Sequence, residues 1–222
     1  MKRLVSLDEV KRHPLVVTFL EAADKNMEAL GYTEHGHRHA GLVSNIAYNI
    51  LTHLGYHTPL PELASIAGYL HDLGNMVGRA NHEHTGALIS FSILRELQMD
   101  PSYISQIISA LGNHEEATGD PISVIAAALI LADKSDVHRS RVRNPNMIMF
   151  DIHDRVNYAV KESFLRVDNK KRALVLELSI DTEISQVMEY FEIFLSRMII
   201  CRKAARFLDS HFELVINGTK LL

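Results

Sequence analysis

The segment PISVIAAALILADKSD, residues 121–136, places the strongest constraint on how this chain can fold. Its first part is apolar on nearly every side of a helix, which is typical of a helix buried on all faces. Such a helix needs other elements packed around it, so the segment predicts the central helix of a core. Asp120-Pro121 is its predicted start. The backbone N–H groups in the first turn of a helix have no partner within the helix, so proline, which lacks this group, loses no hydrogen bond there. The helix ends near Asp133, a carboxylate that an apolar core does not accept without a partner.

Most of the chain before residue 150 has the pattern of further amphipathic helices. Residues 39–54 repeat apolar side chains at i, i+3, i+4 and i+7, the stripe of a helix with one buried face. Thr58-Pro59 and Asp100-Pro101 combine a capping residue with a proline and predict two more helix starts. Residues 1–143 are therefore predicted to form a mainly α domain, a helical bundle around one core.

The pattern changes after about residue 150. Residues 163–180 contain two β-rich runs around a polar turn, which predicts a hairpin. A long helix, roughly residues 182–208, follows, and FELVINGTKLL predicts a further strand with a turn at Asn217-Gly218. We expect a small α+β C-terminal subdomain over residues 144–222, with its boundary near Asn144-Pro145.

Charge and composition limit the partners of this chain. The 23 basic and 27 acidic residues give a net charge of −4, which argues against a nucleic-acid partner and favours a small substrate. No stretch approaches the ~18 apolar residues that would span a bilayer, and the N-terminus lacks the apolar part of a signal peptide. A single cysteine, Cys201, excludes an internal disulfide framework. We expect a cytoplasmic protein without membrane contacts, and the chain is compatible with a homodimer.

Histidine is frequent in this sequence, with 13 histidines against no tryptophan. On five of the predicted helices, a side chain that can bind a metal ion stands at the end of the apolar face. One histidine at the edge of a core is usually only hydrogen-bonded there, but a buried carboxylate such as Asp133 needs a cation. Imidazole and carboxylate together favour first-row transition metals over Ca²⁺ or Mg²⁺. The candidate ligands are His39, His71, Asp72, His82, His114 and Asp133.

The candidate ligands and the residues around them resemble a known protein family. Their order and the pieces YLHDLGN and ALILADKSD resemble the HD-domain superfamily of metal-dependent phosphohydrolases over roughly residues 30–143. The stretch NHEHTGALI is similar to the histidine segment of members with two metals, including HD-GYP phosphodiesterases and diadenosine tetraphosphate hydrolases. The spacing to Gly86 in that segment implies that His82 is the ligand and His84 its neighbour. The residues of this sequence alone are compatible with either histidine as the ligand.

The resemblance implies a ligand set for two divalent transition-metal ions. One ion would be held by His39, His71, Asp72 and Asp133, and Asp72 would bridge to a second ion held also by His82 and His114. Iron or manganese is favoured, and zinc, cobalt or nickel would also fit. His71 and Asp72 are then the predicted catalytic pair.

The chain also departs from the HD-GYP pattern. Asn75 stands where those proteins have lysine, Asn113 replaces the first histidine of His-His-Glu, and TGDP replaces Gly-Tyr-Pro. These departures argue against cleavage of cyclic di-GMP. His35, four residues before His39, has the position of a third-metal ligand in that group, or it is a solvated histidine at a helix start.

Basic residues follow Asp133 and suggest how a phosphate is held. Lys134, Arg139 and Arg143, with Arg141 between them, are the candidate phosphate ligands, since the arginine fork matches phosphate oxygens. The alternative is a solvated basic helix end.

The sequence therefore predicts hydrolysis of a phosphoester or phosphoanhydride in a small, nucleotide-like substrate, with a bridging water as the nucleophile. Two alternatives use the same residues. One is a di-iron oxygenase on the same fold, and the other is a regulatory metal-binding module without turnover.

Overall fold

The structure is a computed structural model that describes residues 2–144 and 151–222. Its α-helices are α1 (Leu7–Arg12), α2 (Pro14–Ala29), α3 (His37–His53), α4 (Leu60–Leu70), α5 (His82–Glu96), α6 (Pro101–Leu111), α7 (Val124–Ser135), α8 (Ile152–Ala159) and α9 (Val187–Phe207). Its strands are β1 (Val160–Asp168), β2 (Ala173–Ile180), β3 (His211–Ile216) and β4 (Thr219–Lys220), and 3-10 turns span Leu73–Met76 and Arg139–Arg141. The predicted class, mainly α with a small C-terminal sheet, is confirmed.

Helix α7 is the central helix, as predicted. It is buried along almost its whole length and packs against α3, α4, α6 and α9. The predicted start at Asp120-Pro121 is wrong, because the helix begins at Val124. The hydroxyl of Ser123 accepts a hydrogen bond from the backbone N–H of Ala126 at 3.1 Å and caps the helix there.

The two other predicted helix starts differ in detail. Asp100 caps α6, and its carboxylate accepts from the N–H of Ser102 at 2.9 Å, as expected. Thr58 does not cap α4, which begins at Leu60 with Pro59 in the cap position. The hydroxyl of Thr58 donates instead to Glu62 at 2.9 Å, so this side chain is occupied within the first turn.

The C-terminal residues form the predicted hairpin, long helix and strand. Strands β1 and β2 pair antiparallel, and α9 returns the chain so that β3 pairs parallel with β2 in the sheet order β1-β2-β3-β4. The turn at Asn217 and Gly218 has positive φ at both residues, 50° and 77°, which suits this pair in a two-residue hairpin loop. The sheet therefore contains one parallel pair that the strand pattern alone did not reveal.

The same hydrophobic core includes side chains from both predicted subdomains. Buried residues of α9, β2 and β3 belong to one cluster with those of α3, α4 and α7. The predicted boundary at Asn144-Pro145 lies partly outside the described residues, and a division at residue 143 stays a prediction. Within residues 2–144 and 151–222, no helix is both long and apolar enough to cross a membrane.

Candidate metal centre

Six predicted ligands meet at one end of the helical bundle, and we call them the His–Asp cluster. They are almost fully buried, apart from Asp133, whose side chain is 12% exposed. The cluster consists of His39 in the first turn of α3, His71 and Asp72 directly after α4, His82 at the start of α5, His114 just after α6, and Asp133 near the end of α7.

One half of the cluster is built around His39 and His71. Their Nε2 atoms are 3.3 Å apart. Oδ2 of Asp72 lies 3.5 Å from Nε2 of His39 and 3.2 Å from Nε2 of His71. Oδ1 of Asp133 lies 3.4 and 3.6 Å from the same two nitrogens. Two imidazoles and two carboxylates therefore converge on a common point.

The other half of the cluster is built around His82 and His114. Nε2 of His82 lies 3.7 Å from Oδ1 of Asp72, and ligand atoms of His82, His114 and Asp72 lie within 4.8 Å of one another. The two oxygens of Asp72 thus face different halves. Oδ1 also accepts from Asn75 at 2.7 Å, whereas Oδ2 is buried without a hydrogen-bond partner among the described residues. An orphaned buried carboxylate oxygen fits a bound cation.

The four histidines of the cluster share one orientation. In each ring Nδ1 contacts an oxygen acceptor of the protein, which favours the Nδ1–H tautomer and leaves the Nε2 lone pair directed at the cluster. The acceptors are Asp136 for His39 at 2.7 Å, the carbonyl of Gly68 for His71 at 2.9 Å, the carbonyl of Leu111 for His114 at 2.6 Å, and the carbonyl of Arg79 for His82 at 3.2 Å. This is the arrangement that imidazole ligands have around metal ions in proteins.

The electrostatics of the cluster also suit a cation. Burial alone would raise the pKa of Asp72 and Asp133, but the adjacent positive groups, chiefly His71 for Asp72 and Lys134 for Asp133, lower both pKa values well below the usual range. Burial disfavours the imidazolium of His71, yet the carboxylates outweigh it and raise its pKa to about 10. The carboxylates therefore favour a positive charge at this position, which a bound metal ion would supply in place of a proton.

A close backbone approach fixes the position of His82. A Cβ atom at Gly74 would collide with the carbonyl oxygen of His82 and lie 2.7 Å from the nitrogen of Gly86. Glycine at position 74 therefore lets the turn after His71-Asp72 pack directly on the start of α5. His82 is buried in the cluster, whereas the side chain of His84, two residues later, is 63% exposed.

The predicted phosphate ligands lie in different places. Nζ of Lys134 is buried 2.7 Å from Oδ2 of Asp133, next to the cluster. The guanidinium of Arg139 lies over the ring of Tyr158, 5.3 Å from its centre. That of Arg143 pairs with Asp24 and donates to its backbone carbonyl at 3.1 Å. Neither Arg139 nor Arg143 lines the cavity next to the cluster. Asp24 holds the guanidinium of Arg143, whereas Nε and one terminal nitrogen of Arg139 are buried without a hydrogen-bond partner among the described residues.

Arg141 and His35 also have defined positions near the cluster. Arg141 is buried, and its guanidinium donates to the carbonyls of Glu34 at 3.0 Å and Asp136 at 2.9 Å, which braces the loop before α3. The ring of His35 lies 5.6 Å from the ring of His39 and is only partly exposed, so it is not a freely solvated histidine. Its Nδ1 is 2.6 Å from the carbonyl of Thr33.

A cavity of about 470 Å³ lies beside the cluster and has the size of a small-molecule site. His35, Tyr32 and Phe194 contribute rings to its wall. Its lining includes the basic residues Arg79, Arg141 and Arg197 and the acidic residues Glu116, Asp151 and Asp154. We call it the cluster cavity. Its wall includes Phe194 and Arg197 of α9, so the C-terminal residues contribute to this cavity.

Two arginines of the cluster cavity were missed by the sequence analysis. NH1 of Arg79 lies 3.0 Å from Nε2 of His82, and its guanidinium is 3.4 Å from Glu115. Arg197 lies over the ring of Phe194 at 4.3 Å, with Nε 3.1 Å from Glu116. Arg79 stands only three residues before His82, a signal that sequence reasoning could have used. Arg197 has no such signal, because it is distant in sequence.

Three comparisons with known proteins give similarities for this chain. Residues 36–137 match the model of the HD domain family, and this span contains the whole His–Asp cluster. The chain is 25% identical over 206 residues to Uncharacterized protein MJ1020 of Methanocaldococcus jannaschii, covering 82% of this chain and 79% of that protein. It is also similar to a crystal structure described as a predicted HD superfamily hydrolase from an uncultured Thermotogales bacterium. That similarity has a TM-score of 0.45 and 21% identity, over 59% of this chain and 73% of the other.

Proposed function

We propose that this protein is a metal-dependent phosphohydrolase that binds two divalent transition-metal ions and cleaves a phosphoester or phosphoanhydride of a small, nucleotide-like substrate. One observation carries the proposal: four buried imidazoles are oriented through Nδ1 so that their Nε2 atoms face two buried carboxylates. A cluster of this composition suits iron or manganese, and also zinc, cobalt or nickel.

The proposed ligand assignment follows the two halves of the cluster. The first ion would be held by His39 and His71 with Asp133. The second would be held by His82 and His114. Asp72 would bridge the two ions, because its two oxygens face different halves. Binding at His82 requires the guanidinium of Arg79 to leave Nε2, which it approaches to 3.0 Å.

The chemistry follows from the charge of the cluster. When bound, two divalent ions activate a water molecule for attack and neutralise charge on the phosphoryl group. Asp72 faces both halves and contacts His71 at 3.2 Å, so we assign these two residues the catalytic role. Lys134 balances the charge of Asp133 at 2.7 Å. The surrounding burial limits access of bulk water to the cluster, which strengthens these interactions.

The cluster cavity is the proposed substrate site. Arg79 and Arg197 are better placed than Arg139 and Arg143 to contact phosphate oxygens, because they line this cavity. Arg79 contacts Glu115 and His82 there, and Arg197 contacts Glu116. The guanidinium of Arg79 lies 5.9 Å from the centre of the Tyr32 ring. A cation and aromatic rings in one cavity suit a phosphate attached to a flat base, which is the reason for proposing a nucleotide-like substrate.

The experiment that tests this function combines elemental analysis of the purified protein with an activity screen. We expect about two equivalents of a transition metal per chain and release of phosphate or a nucleotide from at least one nucleotide or dinucleotide. Chelation should abolish the activity, and metal addition should restore it. Oxygen consumption by an iron-loaded protein would favour the oxygenase instead. A metal-loaded protein inert in both assays would favour a regulatory module.

A further inference from the structure

Helix α9 has two different faces. One face carries Phe194 and Arg197 to the cluster cavity and packs on α7. The other face is exposed along the whole helix. Six exposed residues on that face form what we call the α9 stripe: Met188, Glu192, Leu195, Ile199, Arg202 and Arg206.

The spacing of the α9 stripe is that of a coiled-coil seam. Successive members are separated by four, three, four, three and four residues, the alternation of a heptad repeat. The stripe spans ~27 Å at the usual helical rise of about 1.5 Å per residue. Leu195 and Ile199, at its centre, are 55% and 46% exposed, and Met188 is 66% exposed. Large aliphatic side chains at these positions gain from burial against another helix.

Charge is distributed unevenly along the α9 stripe. Its N-terminal half contains Glu192 and its C-terminal half contains Arg202 and Arg206. Neither arginine forms an ion pair within the part of the chain that the structure describes. A partner helix that covers the stripe should therefore present acidic charge to its C-terminal half and basic charge to its N-terminal half.

A second copy of the same helix meets this requirement when it runs antiparallel. A two-fold axis near residue 197 places Leu195 opposite Ile199 of the second copy. The same operation places Glu192 opposite Arg202, and Met188 opposite the aliphatic stem of Arg206. Antiparallel coiled coils pair their seam positions in this way, and each contact then occurs twice because the interface is symmetric.

We propose that two copies of this chain associate through antiparallel packing of the α9 stripe. The stripe is self-complementary in shape and charge only in this arrangement, since a parallel pair would oppose Arg202 to Arg202 and Arg206 to Arg206. The inference is independent of metal binding and of the proposed phosphohydrolase activity, because no residue of the stripe belongs to the His–Asp cluster.

Charge reversal tests the pairing of Glu192 with Arg202. The molar mass of the full chain is measured by light scattering and sedimentation over a concentration series. We expect a dimer for the wild type, and dissociation that is stronger by roughly tenfold for Glu192→Arg and for Arg202→Glu, since each change creates two like-charge contacts. The double variant Glu192→Arg with Arg202→Glu should recover the dimer to within a few-fold. Arg12→Glu, an exposed arginine of α1, is the matched control and should not change the mass.

The apolar centre is tested by Leu195→Glu, which should give a monomer. This side chain is exposed, so circular dichroism should retain the helical spectrum of the wild type. A variant that dissociates without loss of helix supports the proposal, whereas a variant that stays dimeric contradicts it.

Cysteine cross-linking tests the register. Positions 192 and 202 of one helix are ~15 Å apart, too far for a disulfide within the chain. The double variant Glu192→Cys with Arg202→Cys should form covalent dimers on oxidation, and neither single variant should. Cross-links in a single variant, no cross-link in the double variant, or a wild type that remains monomeric at high micromolar concentration would each overturn the proposal.

Discussion

Nδ1 of His39 lies 2.7 Å from Oδ2 of Asp136, and both residues are buried. The neighbouring arginines Arg38 and Arg141 also approach this carboxylate, at 2.8 and 3.8 Å. Asp136 therefore holds the ring of His39 with Nε2 directed at the cluster, and the positive groups around it keep the pKa of its carboxyl low in spite of burial.

Asp136→Asn should weaken metal binding without removing a ligand. The amide keeps the size of the side chain but loses the charge that orients His39, and such a change typically costs ~10–100-fold in metal affinity. Competition with a coloured chelator measures this affinity. Asp8→Asn, on the exposed side of α1, is the control and should bind metal as the wild type does. Equal affinities for the two variants would exclude a positioning role for Asp136.

His82→Ala should remove about one of two metal equivalents. The ring supplies an Nε2 ligand to one half of the cluster only, so the half around His39 and His71 should keep its ion. His84→Ala is the matched control, because this neighbouring ring is largely exposed and should not affect metal content. Elemental analysis at saturating metal measures both variants. A wild type that binds only one ion would contradict the two-metal proposal.

Asp72→Asn should abolish phosphoester hydrolysis and leave the helical fold intact. The new amide oxygen can still accept from Asn75, so local packing survives, but the neutral group is a poor bridge between two cations. We expect a loss of more than about a hundredfold in turnover, equivalent to ~3 kcal/mol of transition-state stabilisation. Steady-state kinetics measure the loss of turnover, and far-UV circular dichroism checks that the helical fold is retained. Near-normal turnover with both metals bound would show that this carboxylate is not central.

Arg197→Ala should raise the KM for the substrate while metal content stays unchanged. The guanidinium lines the cluster cavity, so its loss should remove a contact to the substrate anion worth about tenfold in binding. Arg143→Ala should instead lower the melting temperature, because the side chain of Arg143 pairs with Asp24. A raised KM for Arg143→Ala with no effect of Arg197→Ala would favour the position suggested by the sequence.

Glu189 should contribute to stability at neutral pH but not in strong acid. Its carboxylate accepts hydrogen bonds from Arg155 at 2.6 Å and Ser185 at 2.6 Å, which lower its pKa from 4.5 to about 2. A carboxyl with a lower pKa in the folded state stabilises the fold above pH 4.5, and this contribution disappears as the pH falls from there to about 2. Glu189→Gln should therefore lower the melting temperature at pH 7, and the difference from the wild type should vanish near pH 2. A difference independent of pH would contradict this assignment.

The sequence predicted most of the helices and the chemical type of the site. The buried helix α7 and the capped start of α6 depend on local patterns, namely an apolar run and an Asp-Pro pair, and both are present. The start of α7 was misplaced by three residues, at Pro121 rather than Val124, because two capping signals lie close together there and the hydroxyl of Ser123 supplies the cap.

The sequence predicted the candidate metal ligands because each of these residues stands at the end of an apolar helical face. The spacing along one helix fixes which side chains share its buried face, and His71 and Asp72 mark that position without reference to the rest of the chain. Adjacent histidine and aspartate, followed by further histidines, therefore indicated metal chemistry before any helix was placed against another.

Only the tertiary structure decided which partners surround those ligands. Asp136 orients His39, the carbonyl of Arg79 orients His82, and Arg197 reaches the cluster cavity from α9, which lies between β2 and β3 in the chain. The close packing of the backbone at His82 depends on Gly74, where a Cβ atom would collide with the carbonyl oxygen of His82. The helical period of a sequence predicts which face of a helix is buried, but it does not predict which other helix packs against that face. These contacts join elements distant in sequence, so they are set by how the helices pack.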